Sequence, residues 1–255
     1  LKDYLVNKRP KKAVVIGAGS IGLLISEALK KNSIDVTLIE KKEKIFSEFD
    51  EEISSIIFKK LSLENISVKT SATVISTESE NGLVSKLKIN QNGNIEEFST
   101  DLIVLTTGIK ANTSFLKGTS IELGPNNAIK TSPKLQTSYT NIYAAGDCCS
   151  VRNIVTGRID YIPTANNAAK MGRIAWENIM GGNMVFPGSV GTKVDVIFDF
   201  EIAKTGININ EALELGYNAF KVTGSFNSHA VAIPGSTTIT VLLIVDYPAR
   251  KILGA

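Results

Sequence analysis

The chain has 255 residues, of which 43% are hydrophobic and 21% are charged, and its formal net charge at pH 7 is +3. This composition is typical of a globular protein with one large domain or two smaller ones. Because 28 basic residues nearly balance 25 acidic ones, the charge does not indicate a nucleic-acid partner. The sequence contains no run of about 18 apolar residues, so it predicts neither a membrane span nor a membrane partner.

The first predicted elements are a buried strand, a glycine turn and an amphipathic helix, in AVVIGAGSIGLLISEALKK (residues 13–31). The continuous apolar run at its start is typical of a strand in a parallel sheet. The strand IDVTLIE, the helix DEEISSIIFKKLSLEN and the short strand ISVKT follow in that order. Strands alternating with helices predict an α/β fold with a Rossmann-like domain.

The glycine turn has the spacing of a dinucleotide-binding site. Gly17 permits the tight turn, Gly19 lets a pyrophosphate approach the backbone, and Gly22 lets the helix pack close to the strand. The helix then offers free N–H groups to the phosphates. Glu40 ends the next strand, at the spacing of a carboxylate that binds a ribose 2′-hydroxyl. The predicted coenzyme-binding residues are Gly17, Gly19, Ser20, Ile21, Gly22 and Glu40.

The same carboxylate bears on the choice between the two nicotinamide coenzymes. Glu40 favours NADH, since a carboxylate would repel the 2′-phosphate of NADPH. Lys41 and Lys42 follow directly, and a lysine that swings in could accept that phosphate. The sequence thus favours NADH and leaves NADPH open.

Three alternating strands come next: SATVISTESE, VSKLKINQ and IEEFST. Asn81-Gly82 and Asn92-Gly93 separate them, and Asn-Gly is a strong hairpin signal, so we expect an antiparallel meander. The buried strand DLIVLTTG then ends at Gly108, which predicts that residues 1–108 close as one domain.

Residues 109–185 contain a loop-rich stretch, a predicted strand NIYAAGD and a predicted helix from about Thr164 to Met180. One strand and one helix do not make a core, so we expect this segment to complete a sheet begun before Leu1. Later, TKVDVIFDF is predicted as a strand, NINEALELG as a helix, and YNAFKVTG and STTITVLLIVDY as strands. The start at Leu1 and the strand-like final run ARKILGA give the expectation that the chain is a piece of a longer polypeptide.

A second motif joins the predicted strand NIYAAGD to two adjacent cysteines. Gly146-Asp147 would place a carboxylate at the carboxyl edge of a sheet, where it could accept hydrogen bonds from a polyol such as a flavin ribityl chain, although Gly-Asp is also a common turn. Cys148 and Cys149 are poorly placed for a structural disulfide, which predicts a reducing cytoplasm. As thiols next to a buried strand they are expected to be inert. His229 is the only histidine, so this chain offers no two-histidine metal site, and we expect it to be structural rather than catalytic.

The order of these motifs resembles the flavin-dependent pyridine nucleotide–disulfide oxidoreductases, in the branch of coenzyme A disulfide reductases, NADH oxidases and NADH peroxidases. The resemblance implies FAD and NAD(P)H as cofactors, with NADH favoured, and hydride transfer from NAD(P)H to flavin. It implies a small-molecule electron acceptor (a disulfide, oxygen or peroxide) and a homodimer. It divides the chain into an NAD(P)H-binding domain (1–108), the C-terminal half of an FAD-binding domain (109–185) and a truncated dimerisation domain (186–255).

The resemblance also implies site residues. Gly108 matches the glycine beside the nicotinamide, and Gly146 and Asp147 match the ribityl-binding turn. Thr164, Ala165 and Asn166 match the helix start that approaches the flavin pyrimidine edge, where the helix dipole would stabilise a reduced flavin.

In that family the redox cysteine lies in an N-terminal FAD segment, so no catalytic residue is assigned to this chain. The chain by itself is expected to bind FAD poorly and not to turn over.

Two residues depart from the family pattern. Ser20 stands where many members carry an aromatic residue, and Leu24 stands where many carry Glu. Two alternatives stay open: a rubredoxin- or ferredoxin-type reductase without a redox cysteine, and a non-catalytic NAD(H)-binding redox sensor.

Overall fold

The computed structural model describes residues 1–247 and 249–255 and divides into two compact units. Unit 1 comprises Leu1–Gly108 together with Val194–Ala203, and unit 2 comprises Ile109–Lys193 together with Lys204–Ala255. Both units mix helices and strands, and unit 1 has a parallel sheet, so the predicted α/β fold class is confirmed. The predicted division at residues 108 and 185 stays a prediction.

The helices are α1 (Lys2–Lys8), α2 (Ser20–Lys31), α3 (Glu51–Leu63), α4 (Ala165–Ile179) and α5 (Ile209–Glu214). The strands before residue 110 are β1 (Lys12–Ile16), β2 (Asp35–Ile39), β3 (Ser67–Lys69), β4 (Ala72–Glu80), β5 (Leu83–Gln91), β6 (Asn94–Ser99) and β7 (Leu102–Leu105). The later strands are β8 (Val151–Arg152), β9 (Ile159–Asp160), β10 (Lys193–Ile197), β11 (Phe200–Lys204), β12 (Ala219–Asn227), β13 (Thr238–Asp246) and β14 (Lys251–Gly254).

Unit 1 is built on a parallel sheet with the strand order β3-β2-β1-β7. Side chains alternate along β1, because successive residues of a strand point to opposite faces of the sheet. Ala13 and Val15 join the core with residues of α2 and α3, whereas Val14 joins a second core with Leu87 and Ile89 of the meander. Because β1 pairs in parallel with β2 and β7, the carboxyl ends of these three strands lie at one edge of the sheet, where the glycine turn begins.

The meander β4-β5-β6 is antiparallel, as predicted. Its two turns place Asn81 (φ 51°) and Gly82 (φ 76°), then Asn92 (φ 53°) and Gly93 (φ 90°), in the left-handed region. Asn and Gly are favoured in such two-residue hairpin turns, so the prediction from the Asn-Gly pairs is confirmed.

The strand predicted in TKVDVIFDF is confirmed as β10, but the segment also turns the chain, and β10 pairs with β11 in a hairpin that was not predicted. Phe198 turns the chain at φ 56°, and its N–H donates to Glu27 Oε2 of α2 at 2.6 Å. Asp199 pairs with Lys60 of α3 at 2.9 Å. Ile197 is fully buried in the helix-side core of unit 1, so this hairpin is an integral part of that unit.

In unit 2, the strand predicted for NIYAAGD is wrong. Tyr143 makes one isolated bridge to Gln136, and Ala144 N–H donates to Leu135 O at 3.0 Å. Because a strand needs a continuous hydrogen-bonded partner, one bridge leaves the segment irregular. Apolar side chains around Met171 of α4 make a buried cluster in this unit. The expectation that residues 109–185 complete a sheet begun before Leu1 stays a prediction.

The predicted helix from about Thr164 to Met180 is confirmed as α4, with Thr164 as its N-cap. The last strands form an antiparallel sheet in the order β12-β13-β14, which packs with α5 around Ile244. The strand expected from the final apolar run is β14, paired with β13. Within residues 1–247 and 249–255, the helices are too short or too polar to cross a membrane.

Candidate functional site

Backbone packing requires glycine at two of the three glycine positions in the turn after β1. Gly17 has φ +106°, and a Cβ on it would lie 2.5 Å from the carbonyl oxygen of Thr106. A Cβ on Gly22 would overlap the carbonyl oxygen of Gly17 and lie 2.8 Å from Thr106 Oγ1. A Cβ at either position would collide with backbone atoms. The helix α2 therefore approaches β1 this closely only with glycine at both positions.

Gly19 differs from its two neighbours, because no protein atom requires it to be glycine. Its φ is −83°, which any residue adopts, and no heavy atom lies within 4 Å of the position of a Cβ. Gly19 is exposed and is the N-cap of α2. The open space beside its backbone is what a phosphate group would need for close approach.

The first turn of α2 provides donors for an anion at this point. In the part of the chain that the structure describes, the N–H groups of Ser20, Ile21 and Gly22 have no hydrogen-bond acceptor. The first N–H groups of a helix lack intrahelical acceptors, and the helix dipole places a partial positive charge there. The space at Gly19 and these donors together fit a pyrophosphate.

Glu40 lies directly against the glycine turn. Its Oε2 accepts the N–H of Ala18 at 2.8 Å, and its Oε1 accepts the N–H of Lys42 at 2.9 Å. Each carboxylate oxygen keeps a further lone pair, so the group can accept hydroxyl donors as well. The ammonium of Lys42 donates to Ser47 Oγ at 2.8 Å, and the side chain of Lys41 is exposed.

Sequence reasoning missed three polar contacts at this turn. Thr106, which follows β7, donates its hydroxyl to Gly17 O at 2.8 Å and so braces the turn from the neighbouring strand. The hydroxyl of Ser20 lies 3.0 Å from Glu48 Oε1 and 2.7 Å from Asp195 Oδ2. Thr106 could have been noticed as the polar residue ending a buried strand, but no local signal connects Asp195 with Ser20.

Gly108 follows β7 at the same edge of the sheet. It is exposed and has φ +103°, and no heavy atom lies within 4 Å of the position of a Cβ. It is the last residue of the N-terminal segment of unit 1. Its predicted place beside a nicotinamide stays a prediction.

Unit 2 brings the other predicted site residues together at the N-terminus of α4. A Cβ on Gly146 (φ +91°) would lie 3.7 Å from Cβ of Ala168, so the turn that carries Asp147 packs against the first turn of this helix. Asp147 is exposed. Thr164 caps the helix by accepting the N–H of Asn167 at 3.3 Å. Ala165 and Asn166 are the first two helical residues, and both are exposed.

Tyr161 is a neighbour of Asp147 that sequence reasoning missed. Partial burial raises the pKa of the Tyr161 phenol, and the charge of Asp147 raises this pKa further, with a smaller effect from Cys148. The phenol therefore stays protonated and can donate a hydrogen bond beside the exposed carboxylate.

The match with known proteins covers most of the chain. Residues 2–172 match the model of the pyridine nucleotide-disulphide oxidoreductase family. The chain belongs to this family.

Two curated relatives and one solved structure show how similar other members are. An NAD(P)H sulfur oxidoreductase (CoA-dependent) of Pyrococcus furiosus is 33% identical over 255 residues, which are 100% of this chain and 56% of that protein. An NADH oxidase of Streptococcus pyogenes is 28% identical over 98% of this chain and 54% of its own length. An NAD-dependent persulfide reductase from A. fulgidus has a TM-score of 0.93 and 33% identity, covering 99% of this chain and 46% of its own. The chain thus spans about half the length of the curated relatives it matches.

This family member has two thiols next to Asp147. The Sγ atoms of Cys148 and Cys149 lie 3.7 Å apart, and Cys148 Sγ lies 3.4 Å from the carbonyl oxygen of Ala145. Both cysteines are free. Burial raises the pKa of the Cys149 thiol strongly, and the neighbouring Cys148 raises it further. A thiol reacts as its thiolate, so Cys149 is a poor nucleophile at neutral pH.

We expect a thiol-specific reagent to label Cys148 before Cys149 in the native protein at pH 7. Cys149 is only 2% exposed and its pKa is raised, whereas Cys148 is half-buried. Mass spectrometry with fragmentation between the two residues would assign each label, and unfolding should make both thiols reactive. The Cys148→Ser variant should lose the fast reaction. Labelling of that variant at the wild-type rate would contradict the assignment.

Proposed function

We propose that this chain forms the NAD(P)H-binding part and one side of the flavin site of an FAD-dependent NAD(P)H oxidoreductase. The observation that carries the proposal is the open space beside Gly19, at an α2 N-terminus whose first N–H groups have no acceptor in the part of the chain that the structure describes. Family membership supports it. In this proposal residues 1–108 bind NAD(P)H, 109–185 belong to an FAD-binding domain and 186–255 belong to a dimerisation domain.

Unit 1 would hold the dinucleotide at the carboxyl edge of its sheet. The pyrophosphate would lie over Gly19 and accept the N–H groups at the start of α2. The carboxylate of Glu40, already fixed by Ala18 and Lys42, would accept the adenosine ribose hydroxyls. This carboxylate favours NADH over NADPH. Engagement of the Lys42 ammonium by Ser47 supports the same preference, because it keeps that cation on another partner.

Unit 2 would contribute to the flavin site through the turn at Gly146 and the start of α4. Asp147 is exposed and can accept hydrogen bonds from the ribityl hydroxyls. The open first turn at Ala165 and Asn166 would face the pyrimidine edge, where the positive end of the helix dipole stabilises negative charge. When both cofactors are bound, the chemistry supplied is hydride transfer from the nicotinamide to the flavin.

The electron acceptor in this proposal is a small molecule: a disulfide or persulfide, such as coenzyme A disulfide, or oxygen or peroxide. The names of the relatives support both types, since one is a CoA-dependent sulfur oxidoreductase and another is an NADH oxidase. The proposal assigns the redox role to neither Cys148 nor Cys149, because Cys149 is buried with a raised pKa and the two lie beside the proposed ribityl-binding carboxylate.

A homodimer and a cytoplasmic location belong to the same proposal. Exposed apolar side chains on β12 and β13, among them Phe220, Val222, Phe226 and Ile239, support a surface that is covered in a dimer. The free cysteines Cys148 and Cys149 support a reducing compartment.

The proposal is tested by titrating the nucleotide-free protein with NADH and with NADPH, using calorimetry and nicotinamide fluorescence. We expect saturable binding at one site, with NADH binding more tightly than NADPH. Absence of saturable binding of either coenzyme would overturn the proposal. Equal affinity for both would overturn only the NADH preference. Titration with AMP as a control would show whether the pyrophosphate contributes to binding.

A further inference from the structure

Cys148 and Cys149 form a pair of thiols that the proposed function does not use. They are the only cysteines of the chain, and both lie in unit 2. Their Sγ atoms are 3.7 Å apart, close enough for one thiol to donate to the other. Two thiols in contact can undergo chemistry that neither performs alone, because one can react with the oxidised form of the other.

The two thiols differ in their access to solvent. Cys148 is half-buried and follows the exposed residue Asp147, so a small solute reaches its sulfur. Cys149 is almost fully buried and packs in the apolar cluster around Met171. An oxidant in solution therefore meets Cys148 first, and Cys149 reacts with the group that Cys148 then carries.

The reactivity of Cys149 depends on the state of Cys148. Burial raises the pKa of the Cys149 thiol, and the negative charge of the Cys148 thiolate raises this pKa further. Oxidation of Cys148 to a sulfenic acid replaces that thiolate by a group that is uncharged when protonated, so the charge effect is lost. Proximity favours the reaction between the two residues as well, because their sulfur atoms are already neighbours and need no bimolecular encounter.

The peptide unit that joins the two cysteines is hydrogen-bonded on both sides. The carbonyl oxygen of Cys148 accepts the N–H of Ile129 at 2.8 Å, and the N–H of Cys149 donates to the carbonyl oxygen of Gly146 at 2.9 Å. The second bond closes the turn that carries Asp147. Consecutive Cα atoms lie about 3.8 Å apart, closer than the about 4.4–6.8 Å usual across a disulfide. A disulfide between neighbours would therefore strain this peptide unit and both of its hydrogen bonds.

We propose that Cys148 and Cys149 are a site of reversible oxidation by hydrogen peroxide, at which the two thiols become a disulfide and the turn that carries Asp147 is loosened. In the first step the Cys148 sulfur attacks one peroxide oxygen and the O–O bond breaks. Cys148 becomes a sulfenic acid, and its thiol proton leaves with the other oxygen as water. In the second step the Cys149 sulfur attacks the Cys148 sulfur and the S–O bond breaks. The Cys149 proton leaves with that oxygen as a second water.

The two thiols are thus oxidised by two electrons, and the peroxide is reduced to water. Strained disulfides are the labile ones, so a thiol reductant should restore both cysteines. The site is separate from the proposed electron transfer, because neither coenzyme takes part in either step.

The first test is mass spectrometry of the wild type after titration with hydrogen peroxide, with the remaining thiols blocked before digestion by trypsin. Cleavage after Lys134 and Arg152 releases residues 135–152, which contain both cysteines and no methionine. This peptide should lose two hydrogen atoms, take up no blocking reagent and return to the dithiol after treatment with dithiothreitol. Two chains crosslinked through Cys148, or a Cys148 sulfinic acid beside an unreacted Cys149 thiol, would overturn the proposal. So would two thiols that peroxide leaves unchanged.

The variant Cys149→Ser removes the second thiol and keeps the first. Cys148 should then accumulate as a sulfenic acid, and dimedone should trap about 10-fold or more of it than in the wild type, where the neighbouring thiol consumes it. The matched control is Cys148→Ser, whose buried Cys149 should resist the same dose of peroxide. Equal trapping in the wild type and in folded Cys149→Ser would contradict the second step.

Hydrogen exchange of the reduced and the oxidised wild type would measure the effect on the turn. The amides of Ile129 and Cys149 should exchange about 3- to 10-fold faster in the oxidised protein, the factor expected for the loss of one hydrogen bond. The amides of β13, which lie in a separate sheet of unit 2, should exchange at the same rate in both forms. Equal exchange of Ile129 and Cys149 in the two forms would overturn the loosening of the turn.

Discussion

Gly22→Ala is expected to destabilise the protein by about 3 kcal/mol or more, because overpacking against backbone leaves little room for relaxation. The new Cβ would overlap the carbonyl oxygen of Gly17 and would lie 2.8 Å from the Thr106 hydroxyl oxygen. Neither the turn nor α2 can shift without breaking the contact between β1 and the helix. Chemical denaturation, followed by far-ultraviolet circular dichroism, would measure the loss of stability.

Gly19→Ala is the matched control, since it adds the same methyl group three residues before Gly22. No heavy atom lies within 4 Å of the position of a Cβ on Gly19, and the φ of Gly19 is −83°. The free energy of unfolding should therefore change by less than about 0.5 kcal/mol. Dinucleotide affinity should nevertheless fall about 10-fold or more, because the methyl group would fill the space proposed for the pyrophosphate. Wild-type affinity in Gly19→Ala, or an equal loss of stability in both variants, would contradict this division of roles.

Glu40→Ala is expected to weaken NADH binding by roughly 1–3 kcal/mol, the range for a hydrogen bond to a charged group. The substitution removes the acceptor of the proposed ribose hydroxyls. It also leaves the N–H groups of Ala18 and Lys42 without their partner, which should loosen the turn. NADPH binding should suffer less, because its 2′-phosphate no longer meets a carboxylate.

Calorimetric titration with both coenzymes would measure this effect. Glu43→Ala provides the control, since Glu43 is exposed on the same loop. It removes one negative charge without touching the glycine turn, and it should leave both affinities nearly unchanged. An unaltered NADH affinity in Glu40→Ala would refute the ribose assignment.

Unit 1 could be predicted from the sequence wherever the signal is local. The glycine spacing of the turn is a local pattern, although the contacts of Gly17 and Gly22 with Thr106 are long-range, and the two Asn-Gly pairs specify their own hairpin turns. Glu40 could be placed at the turn because parallel strands end at the same edge of a sheet. These features depend on short-range geometry, which residue type reports directly.

The hairpin β10–β11 could not be predicted, because its turn carries no local signal. Phe198 sits at φ 56°, a region that Gly or Asn usually occupies, and its backbone is held there by Glu27, which is 171 residues away in sequence. The carboxylates of Glu48 and Asp195 converge on Ser20 for the same reason. Tertiary packing decides such contacts, and a propensity argument contains no information about them.

The strand predicted for NIYAAGD failed for a different reason. The apolar run has the composition of a buried strand, but strand structure depends on a neighbouring strand. Among the described residues, Tyr143 finds a partner only at Gln136. The composition of the segment correctly indicated that it is apolar, but composition carries no information about which strand the segment would pair with.

The hairpin that completes the core of unit 1 has a consequence for how the protein is made. The ribosome synthesises Gly108 long before Ile197 and Ile202. The apolar side chains of α2 and α3 that pack with these two residues therefore stay exposed while the intervening chain is synthesised. At about 5–20 residues per second, this interval is on the order of 10 s. During that time the apolar side chains of unit 1 that the hairpin later covers stay exposed, and adding the hairpin closes a long loop between Gly108 and Val194. Chaperones that shield apolar surfaces on the ribosome would therefore act on this unit until residue 203 has emerged.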